Sequence, residues 1–166
     1  DAEAFEPRDP GNLGFVTQTT LSVDDTADVI GVLQRRFPTI AVPHKEDICY
    51  ATTNRQDAVK RVAPHVDAMI VVGSSNSSNS LRLVEVAERL GTPSQLIQRA
   101  HEIDLDWFEG MATVGLTAGA SAPELLVREV VDRLNERFAV TEHQIETATE
   151  AMVFKLPRGL EPDATV

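Results

Sequence analysis

The sequence predicts an α/β protein built of Rossmann-like lobes with mostly parallel sheets. Three observations carry that expectation. Short β-branched runs alternate with segments of helical period, a polar turn separates each run from the helix after it, and Pro or Gly punctuates the helix ends.

The first unit places a strand at residues 13–17, a turn at 18–22 and a helix at 23–37. In that helix Val29, Val32, Leu33 and Phe37 recur at i, i+3, i+4 and i+8, which forms an apolar stripe. Ser22 is a natural N-cap, Asp24 and Asp25 complement the helix dipole, and Pro38 stops the helix. A strand follows at 39–42, then a polar approach at 43–47. A short apolar run at 48–51 leads into Thr52-Thr-Asn54 and a helix to about Val62. Residues 68–72 form the clearest buried strand and run directly into Gly73-Ser-Ser-Asn-Ser-Ser-Asn-Ser80. The helix after it spans 81–90 and is closed by Gly91 at C′. Further strands are expected at 94–97 and 113–117. The second of these enters Ala118-Gly-Ala-Ser-Ala-Pro123 and a helix to Phe138, with Pro123 in the first turn. A last strand at 151–156 precedes a polar tail.

The bulk numbers narrow the function. The 166 residues fit one ordinary domain or two small lobes, and 42% hydrophobic with 25% charged residues is a globular composition. Aromatics are only 5%, so Val, Leu, Ile and Ala must build the core. No apolar run approaches the ~18 residues of a membrane span. The first residues lack the basic and apolar regions of a signal peptide, and no initiator Met is present. A net charge of −11 argues against a nucleic-acid or anionic-membrane surface. It leaves room for a small anion, because helix N-termini hold phosphate through backbone N–H groups and hydroxyls. The single cysteine excludes an internal disulfide and suits a reducing cytoplasm, which is the expected location.

Four of the polar turns are dense in small hydroxyl and amide side chains: Thr17-Gln-Thr-Thr20, Thr52-Thr-Asn54, Ser77-Ser-Asn79 and residues 117–121. In open α/β sheets, ligands bind beyond the strand C-termini, where such turns lie. Ser, Thr and Asn also cap helices everywhere, so the pattern alone allows either plain caps or an anion site of neutral donors. Cys49, just before one of these turns, reads first as a buried thiol, with a metal ligand as an alternative; a thiolate nucleophile is disfavoured because no His is spaced to serve it. His44, His65, His101 and His143 have no spacing that makes a zinc pair. Trp107 and Phe108 read as a packing anchor.

Taken together, Thr17-Gln-Thr-Thr-Leu-Ser-Val-Asp-Asp-Thr26, Asp47-Ile-Cys-Tyr-Ala-Thr-Thr-Asn-Arg-Gln56, Val71-Val-Gly-Ser-Ser-Asn-Ser-Ser-Asn-Ser80 and Thr117-Ala-Gly-Ala-Ser-Ala-Pro123 resemble the 4-hydroxy-3-methylbut-2-enyl diphosphate reductases of isoprenoid synthesis. The four motifs stand in the family's order, and the resemblance covers nearly the whole chain. It implies a trefoil of three α/β lobes around a 4Fe–4S cluster, each lobe giving one cysteine ligand. Cys49 matches the third of these in chain order. Ser77, Ser78, Asn79 and Ser121 match residues that hold the substrate diphosphate. Thr19 matches the threonine beside the substrate hydroxyl in a proton relay, and Thr20 and Thr52 match positions lining the cavity. The implied reaction removes the hydroxyl with two electrons and two protons, giving isopentenyl and dimethylallyl diphosphates. Its electrons come from a donor such as ferredoxin or flavodoxin.

The family's first lobe, two of its cysteines, its diphosphate-contacting histidines and its proton-delivering glutamate have no counterpart in this sequence. The expectation is therefore a C-terminal portion, two of the three lobes, inactive by itself and partnered by the N-terminal lobe. Residues 1–45 belong on this reading to the middle lobe, 46–133 to the third, and 134–166 to a segment packing back on both. A non-redox α/β module that binds a phosphorylated small molecule is the alternative.

Overall fold

The computed structural model describes residues 1–44 and 47–148. Its centre is a parallel sheet of three strands, β1 (Ala68–Val72), β2 (Ser94–Ile97) and β3 (Val114–Ala118), in the spatial order β2-β1-β3. Four helices accompany it: α1 (Val23–Arg36), α2 (Tyr50–Val62), α3 (Ser78–Arg89) and α4 (Glu124–Asn135). The alternation expected from the sequence therefore yields an α/β architecture.

β1 is buried on both faces, as a central parallel strand must be. Its side chains alternate between two cores. Met69 and Val71 pack with Val59, Ala63, Leu83 and Val86 from α2 and α3 and the turn between α2 and β1. Ile70 and Val72 face Ile97, Ile103, Phe108, Val130 and Leu134 on the α4 side. Trp107 and Phe108 lie in a 3₁₀ turn with their rings edge-to-face at 4.9 Å, and Phe108 is buried. They are the packing anchor the sequence suggests. Gly91, at φ +86°, ends α3 in the left-handed conformation that a side chain disfavours.

Several boundaries differ from expectation, each for a local reason. Residues 13–17 and 39–42 are not strands; they share one isolated parallel bridge, Gly14 to Ala41. A lone pair of short parallel segments has no covered face to stabilise it, and Val16 is 85% exposed. Residues 48–51 form no strand either. Cys49 is the N-cap of α2, and its carbonyl accepts the N–H groups of Thr52 and Thr53, so Thr52-Thr-Asn54 lies inside the helix rather than before it. α3 begins three residues earlier than the apolar period indicates, because the Ser77 hydroxyl accepts the Ser80 N–H and caps it. α4 ends at Asn135 rather than 138, and Pro123 is its N-cap rather than part of its first turn. The apolar stripe of α1 buries none of its residues; Val29 is exposed, and Phe37, just past the helix, packs edge-to-face on Phe5. The strand expected at 151–156 lies outside the described residues.

The N-terminal third is joined to the sheet unit through α2. Gln56, fully buried, accepts the Val23 N–H at 3.0 Å and donates to the Leu21 carbonyl at 2.8 Å. One amide thus satisfies both backbone groups at the start of α1. Lys60 with Asp24, and Arg89 with Asp25, add exposed ion pairs of small individual worth. At the far end of the sheet, the Asp67 carboxylate accepts the N–H groups of Ala112 and Thr113, which fixes the entry to β3. Those two bonds hold its pKa below the usual 3.8.

Two outcomes follow from these contacts. Gln56→Ala leaves a buried carbonyl and N–H without partners, and should cost about 2 kcal/mol of stability in urea denaturation; an unchanged midpoint contradicts the bridging role. Because the Asp67 pKa is depressed on folding, its contribution is present above pH 3.8 and lost as pH falls through the depressed value. Asp67→Ala should therefore be less stable than the parent near neutrality, and the gap in melting temperature should close under acid.

Candidate functional site

The strand order places the site. From β1 the chain crosses through α3 to β2 on one side, then returns past β1 to β3 on the other. The crevice between the C-terminal ends of β1 and β3 is the switch point of such a sheet. The loop from Gly73 into α3 and the turn from Gly119 to Ser121 both emerge there.

The two meet through Ser80. A Cβ on Gly73 would fall 2.2 Å from the Ser80 Oγ, and a Cβ on Gly119 would fall 2.3 Å from the same atom. Only glycine permits this approach. Ser80 is buried, and its hydroxyl lies 3.1 Å from that of Ser77. Ser77 in turn caps α3, and its own N–H bonds the Ser74 carbonyl at 2.9 Å. The N-terminus of α3 is thereby held rigidly at the crevice, with its dipole and free N–H groups directed outward.

Asn79 stands in the first turn of this helix, 7% exposed, and neither atom of its side-chain amide has a hydrogen-bond partner among the described residues. A buried amide left unpaired costs about 1–3 kcal/mol, which a ligand offering both donor and acceptor atoms would recover. Its Nδ2 is 3.7 Å from the Cβ position of Gly119, so it belongs to the same crevice.

Most of the other residues singled out by sequence gather nearby. The Thr20 hydroxyl donates to that of Ser78 at 3.2 Å, and the Thr19 carbonyl accepts the Cys49 N–H at 3.0 Å. The 17–22 turn therefore touches both helix N-termini. Cys49 is exposed at the cap of α2, which rules out the buried-thiol alternative. Thr52 is buried one turn along α2, and Ser121 is exposed on the turn after β3. Neither has a side-chain bond to the other candidates among the described residues.

Sequence reasoning missed four members of this arrangement. Gly73 and Gly119 read as loop glycines; Ser80 reads as one more serine in a run; and Asp47, whose carboxylate accepts the Thr17 N–H at 2.8 Å, reads as an ordinary charge. The signal for the first three was the position of a glycine immediately after each of two apolar strands. A cavity of about 320 Å³ also opens behind the site, between α1 and residues 13–17, but Phe15, Val23, Ala27 and Ile30 line it. Its apolar walls do not suit an anion. The donor-rich crevice does.

One thiolate does not hold a four-iron cluster. Cys49 is the single cysteine of the sequence, and no group of three His, Cys, Asp or Glu among the described residues is arranged to hold a metal ion. The exposed thiol at a helix N-terminus suits the place of one ligand, but the chain alone does not suit the whole group.

A parallel sheet with a switch-point crevice, lined with neutral donors and helix N-termini beside an exposed thiol, defines a Rossmann-like α/β protein. Residues 1–135 match the family model described as LytB protein, and the chain belongs to that family. It is 61% identical over 160 residues to the 4-hydroxy-3-methylbut-2-enyl diphosphate reductase of Phenylobacterium zucineum, covering 96% of this chain and 51% of that protein. It is also 61% identical over 165 residues to reductase 2 of Rhodopseudomonas palustris, covering 99% of this chain and 52% of the relative. Among solved structures, the E-1-hydroxy-2-methyl-but-2-enyl-4-diphosphate reductase from Plasmodium falciparum superposes with a TM-score of 0.74 at 36% identity, over 79% of this chain and 41% of that one. The chain spans about half the length of the curated relatives it matches. No helix among the described residues is long and apolar enough to cross a membrane.

The close approach at Ser80 gives a paired test. Gly73→Ala and Gly119→Ala should each cost about 1–3 kcal/mol by overpacking. Removing the Ser80 hydroxyl with Ser80→Ala should rescue Gly119→Ala, where the two Cβ positions are 3.5 Å apart, but not Gly73→Ala, where they are 2.7 Å apart. Urea unfolding of the four variants reads the difference, and equal rescue of both would contradict the geometry.

Proposed function

We propose that this chain supplies the diphosphate-binding turns and one cluster thiolate of a 4-hydroxy-3-methylbut-2-enyl diphosphate reductase. The observation that carries the reading is Asn79, a buried amide with no partner among the described residues, at the N-terminus of a rigidly held helix. On this reading Asn79, with Ser77, Ser78 and Ser121, binds the diphosphate oxygens through neutral donors. Each well-placed bond to a charged oxygen contributes about 1.5–3 kcal/mol. Thr19 lies beside the substrate hydroxyl and passes protons to it, while Thr20 and Thr52 line the cavity. Support for one shared site comes from the bonds Thr20 to Ser78 and Thr19 to Cys49.

The substrate loses its hydroxyl as water, taking up two electrons and two protons, to give isopentenyl and dimethylallyl diphosphates. A 4Fe–4S cluster, when bound, supplies single electrons and a Lewis-acidic iron. Cys49 provides one of its ligands. The remaining cysteines, the histidines that contact diphosphate and the glutamate come from the N-terminal lobe and the rest of the middle lobe, which match the rest of the relatives' length. The electrons come from a ferredoxin or flavodoxin in the cytoplasm. Residues 1–45 contribute to the middle lobe and 46–133 form the third; of the returning segment expected at 134–166, residues 149–166 lie outside the described residues.

In the complete reductase, Cys49→Ser should abolish the iron–sulfur absorption band and the activity together. Asn79→Ala should instead keep the band and raise the KM for the substrate at least tenfold, for about 1.4 kcal/mol of lost binding. An Asn79→Ala enzyme with unchanged KM contradicts the assignment. If inorganic diphosphate binds while Cys49→Ser leaves every property of the protein unchanged, the chain is a non-redox phosphate-binding module instead.

A further inference from the structure

Arg55 has no place in the reading given above, yet it reaches the same crevice. It lies on α2, one turn after Thr52, and its Nη1 donates to the Ala118 carbonyl at 3.0 Å. Ala118 is the last residue of β3, and the next residue, Gly119, abuts both Asn79 and Ser80. The guanidinium is half-buried, and its Nε is shielded from solvent with no partner.

Its charge has no carboxylate partner among the described residues, a trait shared with half-buried Arg36, which bonds the Ala2 carbonyl, and with the exposed Arg8, Arg61 and Arg99. Most described arginines pair with a carboxylate, as Arg35, Arg82, Arg89, Arg128, Arg133 and Arg137 do. Arg55 forms no ion pair among the described residues, and the bond it makes there is to a neutral carbonyl. A half-buried cation without a counter-charge is costly, and a chain of net charge −11 has many carboxylates that could have served. An anion seated in the crevice resolves that imbalance.

We propose that Arg55 is a positioning residue of the diphosphate cradle: it clamps the β3 carbonyl behind the crevice and provides the positive charge that the neutral donors lack. The carbonyl of Ala118 ends a parallel strand, and its oxygen would otherwise direct negative potential toward the bound anion. Clamping it removes that repulsion and fixes the Gly119–Ser121 turn against α2. The uncompensated charge then acts on the diphosphate at short range in a poorly solvated setting, where screening by salt is weak but measurable. This inference rests on the diphosphate-binding reading and gives this chain's share of that site a cation, beside the histidines of the N-terminal lobe.

The test uses the complete reductase, with inorganic diphosphate as the probe and titration calorimetry over a series of salt concentrations. Failure of the parent protein to bind would overturn the binding reading itself. With a binding parent, Arg55→Gln should weaken affinity about tenfold and flatten the salt dependence, whereas Arg55→Lys should stay within about threefold and keep the parent slope. A Gln variant that binds as the parent does would overturn the role. So would an equal loss in both variants with an unchanged slope, since a purely structural clamp predicts that result. If Arg55→Gln does not fold, the slope of Arg55→Lys still decides, and a flattened slope there overturns the proposal.

Discussion

The site depends on two side chains that are absent. Ser80 occupies the space where residues 73 and 119 would otherwise carry a Cβ, and this lets α3 begin directly against the ends of β1 and β3. Everything else at the crevice follows from that approach. The Ser77 cap is set by the Ser80 N–H and hydroxyl, Asn79 is held buried beside them, and Ser78 is presented to Thr20. A loop alone would not hold an unpaired amide in place, because it would turn Asn79 toward water and satisfy it there.

The arrangement also accounts for how an acidic chain can hold a polyanion. Lysine and arginine spread over a surface would raise affinity for every anion and would be screened by salt. Helix N-termini and hydroxyls act only on a group that fits between them, at bonding distance. The exposed ion pairs of this protein lie elsewhere, with Asp25, whose pKa is lowered mainly by its bond from Arg89, as an example on the outer face. Charge on the surface and recognition in the crevice are therefore largely separate.

Much of this was legible in the sequence. β1, β2 and β3 lie within a residue of the expected ranges because buried parallel strands leave continuous apolar runs, and Gly91 ends α3 because its φ is positive. The hydroxyl-rich turns were visible as composition. What misled was the assumption that an apolar or β-branched run must be a strand. Residues 13–17, 39–42 and 48–51 have such composition but no neighbouring strand to complete a ladder, and pairing is a property of the partner as much as of the segment. The stripe on α1 failed likewise: its period is helical, but no covered surface faces it. Ser80 was invisible for a different reason, since its importance lies in what two distant glycines omit.

The single bridge between Gly14 and Ala41 leaves the first segment loosely tied to the rest of the described residues. The three-stranded unit is tied by full ladders and two cores, whereas residues 1–22 are joined to it by a few bonds at Thr19, Thr20 and Leu21. Amide exchange and proteolytic nicking will therefore be fastest in that first segment. On the proposed reading, an anion bonded to Ser78 engages the hydroxyl to which Thr20 donates across the joint, so part of its binding free energy is spent on ordering the segment. Occupancy and local order become one equilibrium, in which protection of residues 17–22 from cleavage reports directly on the filled crevice.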